Sequence, residues 1–386
     1  MQTTMKITAV ETFLVAPRWL FVKVATDEGL SGWGEATLEG RSRTAQTAVH
    51  ELEDYLVGTD PLRIEDHWQV MTKMTFYRGG PVLSTAVAAV DQALWDIAGK
   101  CYGVPVHQLL GGPVRERVRV YTWIGGDEPQ QIAESAAASR EAGFDVVKFN
   151  GSGRMERLGT SQALDEVVAL AAAARGALGP GCDFAMDFHG RFTTAMARRV
   201  LHELEPFRPL FVEEPVLPEF TATRLQDVTH ATVVPIACGE RLFDRAQFLP
   251  ALTAGIAVAQ PDVSHCGGIS ETRRVAALAE TFDALVAPHC PMGPIALAAS
   301  LQVDFATPNF LVQEQSAGIH YNQGSDLLDY LVDRSVFDFH RGYCERPTKP
   351  GLGIEVDEAA VKRAAERAHR WRGPLWRHPD GSFAEW

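Results

Sequence analysis

From about Val118 onward one unit recurs: a short apolar run, a few polar residues, then a helical stretch of roughly 10 to 15 residues. Eight such runs follow one another, at residues 118–124, 146–149, 184–186, 210–212, 234–237, 256–259, 285–287 and 310–312. A strand that returns parallel to its predecessor needs a long crossover, which a helix supplies, so this alternation predicts parallel βα units. Eight units within roughly 200 residues suit a closed (β/α) barrel better than an open doubly wound sheet. The open form often has a Gly-rich phosphate turn after its first strand, and no G-x-G-x-x-G or Walker sequence occurs here.

The residues that close these runs carry the chemistry. Lys148, Asp187, Glu213, Glu240, Asp262, His289 and Glu314 succeed one another at intervals of 22 to 39 residues. Strand C-termini of a barrel converge on one mouth, so side chains far apart in sequence share a centre. One charged strand end is an ordinary loop charge; seven in succession form a pattern. Asp187, Glu213 and Glu240 on consecutive strands suit a hard divalent cation, whose charge offsets the repulsion that would otherwise raise their pKa values. Zinc is the competing ion, prompted by His265-Cys266 and His289-Cys290, but neither adjacent pair has zinc-ligand spacing. Glu213 and Glu214 point to opposite faces of a strand, so only one reaches the metal easily, and spacing does not choose between them.

Two histidines stand near these acids. In Asp187-Phe188-His189 the imidazole follows a presumed ligand by two residues, which on a strand turns it to the same cavity. His289 follows Asp262 by one βα unit, so adjacent strands can pair them. A carboxylate held against imidazole fixes its tautomer and raises its basicity, as a general base requires. His265, three residues past Asp262, reads as structural.

Residues 1–117 have a different texture and predict an α+β capping domain. A strand around 21–24, the turn Thr26-Asp27-Glu28-Gly29 and a return at Gly32-Trp33-Gly34-Glu35 predict a hairpin. Leu83, Val87, Val90, Leu94 and Ile97 form one apolar stripe of a helix running toward the breakers Gly103 and Pro105. The barrel is expected over 118–330. Residues 331–386 break its alternation, carry Trp371, Trp376 and Trp386, and are expected to pack back on the cap or on another subunit.

Composition excludes other classes. A net charge of -13, with no Lys/Arg run, repels phosphate backbones and argues against nucleic acid. Glu11 interrupts the first apolar stretch and no run of about 18 apolar residues occurs, so neither export nor membrane insertion is expected. Six cysteines without a C-x-x-C pair fit reduced thiols in a cytoplasmic protein.

Several of these segments, with others along the chain, carry a resemblance. They are Pro17-Arg18-Trp19, Gly32-Trp33-Gly34-Glu35, Tyr77-Arg78-Gly79-Gly80-Pro81 and Ala93-Leu94-Trp95-Asp96-Ile97 in the cap. In the barrel they are Asp187-Phe188-His189-Gly190-Arg191, Glu213-Glu214-Pro215-Val216, Gly239-Glu240-Arg241, Gln260-Pro261-Asp262 and Ala287-Pro288-His289-Cys290-Pro291. Pro374-Leu375-Trp376-Arg377-His378 and Ala384-Glu385-Trp386 extend the match to nearly the whole chain. The sequence thus resembles the enolase superfamily, mandelate racemase subgroup, and within it the D-galactonate dehydratases.

The resemblance implies an α/β fold, a modified (β/α)8 barrel of (β/α)7β type, capped by the N-terminal region and the C-terminal segment. It implies one Mg2+ per subunit on Asp187, Glu213 and Glu240, since the first glutamate of the family's motif is the ligand. It implies that His289, paired with Asp262, takes the C2 proton of a sugar acid, that an enediolate is stabilised, and that His189 protonates the departing 3-hydroxyl. A lysine or histidine base with magnesium is a known property of that superfamily rather than a deduction from these residues. Glu314 would hydrogen-bond the substrate carboxylate, and Lys148, Asn150, Arg18, Trp19, Tyr77 and Arg78 would contact substrate. The implied reaction takes D-galactonate to 2-dehydro-3-deoxy-D-galactonate, and the implied assembly is a homo-octamer. One departure matters: Lys148-Phe149-Asn150 has asparagine where racemases of the subgroup carry a second lysine, and asparagine cannot act as a base. A dehydratase of another aldonic acid, a racemase or epimerase, and a non-catalytic homologue are the alternatives, in that order.

Overall fold

The computed structural model describes residues 5–319, 322, 324–367 and 370–386. The cap begins with an antiparallel sheet of β1 (Ile7–Val15), β2 (Trp19–Thr26) and β3 (Ser31–Glu35). The expected hairpin is present, with Val24 opposite Gly32 and Val22 opposite Gly34. Those glycines have a packing reason. A Cβ at Gly32 or Gly34 would stand 1.9 Å from the carbonyl oxygens of Ala93 and Ala89, so only hydrogen lets the last of the next three helices close on the sheet. Those helices are α1 (Ser42–Leu56), α2 (Ile64–Lys73) and α3 (Gly80–Tyr102). Val87, Val90, Leu94 and Ile97 of the expected stripe are buried, each contributing about 2 kcal/mol by leaving water, while Leu83 is exposed. Helix α3 ends at Gly103 in the left-handed region (φ 69°), as its breaker predicts.

The short α4 (Val106–Leu109) and β4 (Arg117–Arg119) lead into the barrel strands β5 (Thr122–Trp123), β6 (Val146–Asn150), β7 (Asp183–Asp187), β8 (Phe211–Glu213), β9 (Ile236–Cys238), β10 (Val258–Ala259) and β11 (Leu285–Val286). Each of β5 to β11 is followed by one helix: α5 (Pro129–Glu141), α6 (Ser161–Leu178), α7 (Thr194–Leu204), α8 (Thr221–Thr229), α9 (Arg245–Thr253), α10 (Gly268–Glu280) and α11 (Pro294–Ala306). The strands pair in parallel, in sequence order. Residues 310–313 close the ring through parallel bridges Val286↔Phe310 and Val120↔Gln313. Among the described residues no helix follows this eighth strand in the barrel wall, which gives the (β/α)7β form.

Two sequence expectations are corrected here. The run 118–124 is not one strand: β4 leaves the barrel to pair antiparallel with β12 (Tyr343–Glu345), and only β5 joins β6. The run 310–312 forms bridges rather than a ladder. The C-terminal segment returns to the cap, where α12 (Glu358–Ala365) meets β2 through a Lys23–Glu358 ion pair of 2.8 Å. It ends in the hairpin β13 (Trp376–Arg377) and β14 (Phe383–Ala384). Among the described residues no helix is long and apolar enough to cross a membrane.

The barrel interior positions the site. Tyr121, Val146, Ala185, Phe211, Ala237, Val258, Ala287 and Val312 form one buried apolar layer, a residue from each strand direction. Side chains alternate along a strand, so the inward positions two residues on are Trp123, Lys148, Asp187, Glu213, Gly239, Gln260, His289 and Glu314. The floor is oily and the next layer up is polar.

Candidate active site

At the mouth, Trp123, Lys148, Asp187, His289 and Glu314 of this layer line a cavity of about 880 Å³, whose walls also include Asn150, His189 and Glu240. His265 and Trp386 complete it on other sides. Lys148 lies at the bottom, 2.9 Å from Glu213 Oε1 and 2.8 Å from Glu314 Oε1, with all three side chains no more than 2 % exposed. Burial alone would lower the lysine's pKa, but Glu213 and Glu314 hold it well above the usual range. Glu314 also accepts from the Cys290 backbone N–H at 2.8 Å. Both acids are therefore fixed before any ligand enters.

Glu213 closes β8 and meets Lys148 in the barrel, whereas Glu214 lies just past the strand end and meets Gly239 and Arg241 instead. Glu214 has φ 44° and accepts from Gly239 N at 2.9 Å and Arg241 Nη2 at 2.8 Å. Glu213 accepts from Gln260 Nε2 at 2.6 Å as well as from Lys148. Burial, reinforced by the charges of Asp187, Glu314 and Glu240, raises the Glu213 pKa to about 8 despite Lys148. Such a group holds a proton more tightly than an isolated glutamate does.

The ligand atoms of Asp187, His189 and Glu240 lie within 4.8 Å of one another, as do those of Asp262, His265 and His289. Glu213 is outside both clusters and instead meets Lys148 and Gln260. His189 Nε2 is 2.8 Å from Asp187 Oδ2, and His289 Nε2 is 3.2 Å from Glu240 Oε2. Each of these two acids thus has an imidazole nitrogen against it. An all-oxygen donor set of Asp187, Glu213 and Glu240, with one member driven toward protonation by its anionic neighbours, fits a hard divalent cation.

His289 directs Nδ1 at Asp262 Oδ2 (2.8 Å), leaving Nε2 toward the cavity. Burial would depress its pKa, but Glu314, Asp262 and Glu240 overcome this and push it up to about 10. Asp262 is fully buried and held by the Ser264 N–H at 2.7 Å. His265, read as structural from sequence, lines the cavity while its Nε2 lies 3.0 Å from the Thr37 carbonyl of the cap.

His189 reaches the cavity by a route that strand alternation does not give. Strand β7 stops at Asp187, and His189 sits past its end at φ 48°, where the chain turns left-handed before Gly190 (φ 73°). Arg191 Nη2 lies 3.2 Å from its Nδ1. A guanidinium only donates, so Nδ1 accepts and the ring proton sits on Nε2.

The expected cap contacts divide. Asn150, at the end of barrel strand β6, lines the cavity with its Oδ1 buried and without a partner among the described residues. Arg18 is buried just behind the wall, paired with Glu39 and donating to the Pro291 carbonyl. Trp19 is a correction: it is 0 % exposed, stacked on Phe21 and edge-on to Tyr330, so it is core. Tyr77 is 84 % exposed and Arg78 donates to the Thr75 carbonyl on the same loop; neither lines the cavity, whereas Pro81 does. Sequence reading missed Trp123, Gln260 and Arg191. Extending the inward alternation from Tyr121 and Val258 by two residues would have found the first two.

Residues 3–111 match the mandelate racemase/muconate lactonizing enzyme N-terminal domain family, and residues 131–360 match the enolase C-terminal domain-like family. A D-galactonate dehydratase of Ralstonia pickettii is 52% identical over 99% of this chain and 100% of its own length. One of Xanthomonas axonopodis is 53% identical with the same coverage. A crystal structure of an enolase from Agrobacterium radiobacter, bound to sodium and L-malate, is 31% identical, with a TM-score of 0.88 over 98% of this chain and 99% of that one.

Proposed function

On the premise that the chain belongs to the mandelate racemase subgroup of the enolase superfamily and is a sugar-acid dehydratase, we propose that it converts D-galactonate to 2-dehydro-3-deoxy-D-galactonate with magnesium. The observation that carries this reading is a pair of imidazoles in one acidic cavity, each oriented by a carboxylate, with Asn150 where a second lysine base would stand. Full-length identity to D-galactonate dehydratases supports the substrate.

Asp187, Glu213 and Glu240 would hold the metal. When bound, it supplies positive charge to the substrate carboxylate as the neighbouring C–H bond breaks. Lys148 and Glu314 orient that carboxylate from below. His289, with Nδ1–H donated to Asp262, takes the C2 proton on Nε2. The electron pair of that bond is first delocalised into the substrate carboxylate; in a second step it forms a C2–C3 double bond as the C3–O bond breaks, and the departing oxygen takes the Nε2 proton of His189 and leaves as water. The resulting enol gains a proton at C3 and becomes the 2-keto acid. A racemase would need a second base across C2, and Asn150 offers none. Cytoplasmic location and a homo-oligomeric state are part of the same proposal.

The test is to incubate purified protein with Mg2+ and a panel of aldonic acids and to assay 2-keto acid. Turnover of D-galactonate above the others is expected, and its loss on chelation with recovery on adding Mg2+ checks the metal. A 2-keto product from none of the acids would overturn the reading. Preference for another aldonate would reassign the substrate.

A further inference from the structure

The aromatic residues of segment 370–386 have no part in the mechanism above, yet Trp386 forms part of the cavity wall. Its ring centroid lies 6.2 Å from that of His189. Trp371 stands 6.0 Å behind it, and the Arg18 guanidinium stands 5.9 Å from the Trp371 ring. Arg18 in turn donates to the carbonyl of Pro291, two residues past His289. A single chain of contacts therefore runs from the base loop to the acid loop.

The same segment is tied down on the barrel side. The hairpin β13–β14 places the Trp376 ring 5.1 Å from the Arg191 guanidinium, the group that also meets His189. Arg154 Nη1 donates to the Arg377 carbonyl at 2.7 Å, and His378 Nδ1 lies 3.1 Å from Glu156. Trp386 follows β14 by two residues, so its indole is carried by an anchored element.

Exposure gives the cavity a direction. Side-chain exposure is 2 % at Lys148, 12 % at His289 and 24 % at His189. On the proposed function, on which this inference rests, a substrate carboxylate at Lys148 puts C2 at His289 and C3 at His189. Carbons 4 and beyond then continue outward, along the wall that Trp386 supplies. An indole face suits the C–H face of a polyol, because the contact buries apolar area while the hydroxyls at its edges keep their hydrogen bonds.

We propose that Trp386 is a specificity-determining residue, whose indole packs against the carbons beyond C3 and selects chain length, with segment 370–386 acting as its scaffold. A purely structural tryptophan would affect all acids alike. This one acts only on those long enough to reach it.

The experiment compares wild type, W386A and W386F on aldonates of four, five and six carbons, by kcat/KM or by Ki where an acid only inhibits. W386A is expected to lose about ten-fold on the six-carbon acid and little on the four-carbon acid, with W386F recovering most of the loss. Equal losses at every chain length, or no loss, overturn the proposal. A second measurement is independent of turnover: carbethoxylation of His189 by diethyl pyrocarbonate, followed by peptide mass spectrometry. W386A should raise its rate several-fold, and an unchanged rate overturns the wall role. If wild type dehydrates no aldonate, the functional reading fails, and this second measurement alone decides the inference.

Discussion

His289 and His189 serve one cavity but are held by different means, and the difference separates their chemistry. His289 stands among carboxylates, 2.8 Å from Asp262, 3.2 Å from Glu240 and 3.9 Å from Glu314. Its surroundings are clamped by the cap: Glu35 accepts from the N–H groups of Gly293 and Ala296 at the start of α11, and Asp91 accepts from Ser270 at the start of α10. Through these hydrogen bonds the buried acids tie both loops of the base flank to the cap. His189 stands between one carboxylate and one guanidinium, on a left-handed turn, beside segment 370–386. The base flank is rigid and anionic, suited to holding a proton. The acid flank is more open, suited to releasing one to a leaving group.

The largest expected effect breaks the base flank. His289→Asn should reduce kcat by about 10^3 to 10^4-fold and abolish exchange of the C2 proton with deuterated solvent, read by NMR. Retention of C2 exchange would show that another group is the base. His189→Asn should lower dehydration by about 10^2 to 10^3-fold while C2 exchange continues. If both variants lose exchange together, the two flanks share one step and the division is wrong.

A smaller effect sharpens how the acid is positioned. Arg191→Lys keeps the charge but loses the fork that reaches both His189 Nδ1 and the Ser152 carbonyl. An approximately ten-fold fall in kcat is expected, with KM and C2 exchange little changed. A matching rise in KM would mean that Arg191 shapes the pocket as a whole rather than His189.

These flanks were legible in the sequence to different depths. Period-2 alternation from the oily floor at Val146, Ala185, Phe211 and Val312 leads directly to Lys148, Asp187, Glu213 and Glu314, so the inner layer could be read residue by residue. Asp262 and His289 required only that neighbouring strands be parallel. His189 was found for a reason that does not hold, since its turn has left strand geometry and its direction depends on φ 48°. The cap contacts were least legible. Whether Trp19 is wall or core depends on how Tyr330 packs on it, a contact across 311 residues that no local pattern encodes. The contact chain of Trp371, Trp386 and Arg18 is equally non-local, so the tryptophans could be counted but not placed.

The smallest effect concerns the clamp of the base flank. Asp91 is fully buried, and burial raises its pKa from 3.8 to about 7, although Ser270 N–H and Oγ–H bonds work in the other direction. An acid whose folded pKa is raised binds its proton more tightly in the folded chain. Between about pH 4 and pH 7 the unfolded chain has released that proton and the folded chain has not, so stability falls as pH rises through this window and levels off above it. Asp91→Asn removes the titration. Its amide can still accept from the Ser270 N–H and donate to the Ser270 hydroxyl, so the cost is expected to be no more than about 1 kcal/mol. Urea unfolding followed from pH 4 to pH 8 should therefore give a flatter stability profile for the variant than for wild type. The same slope in both would mean that Asp91 is ionised throughout, and that the cap grips α10 as an anion on a helix terminus rather than as a neutral acid.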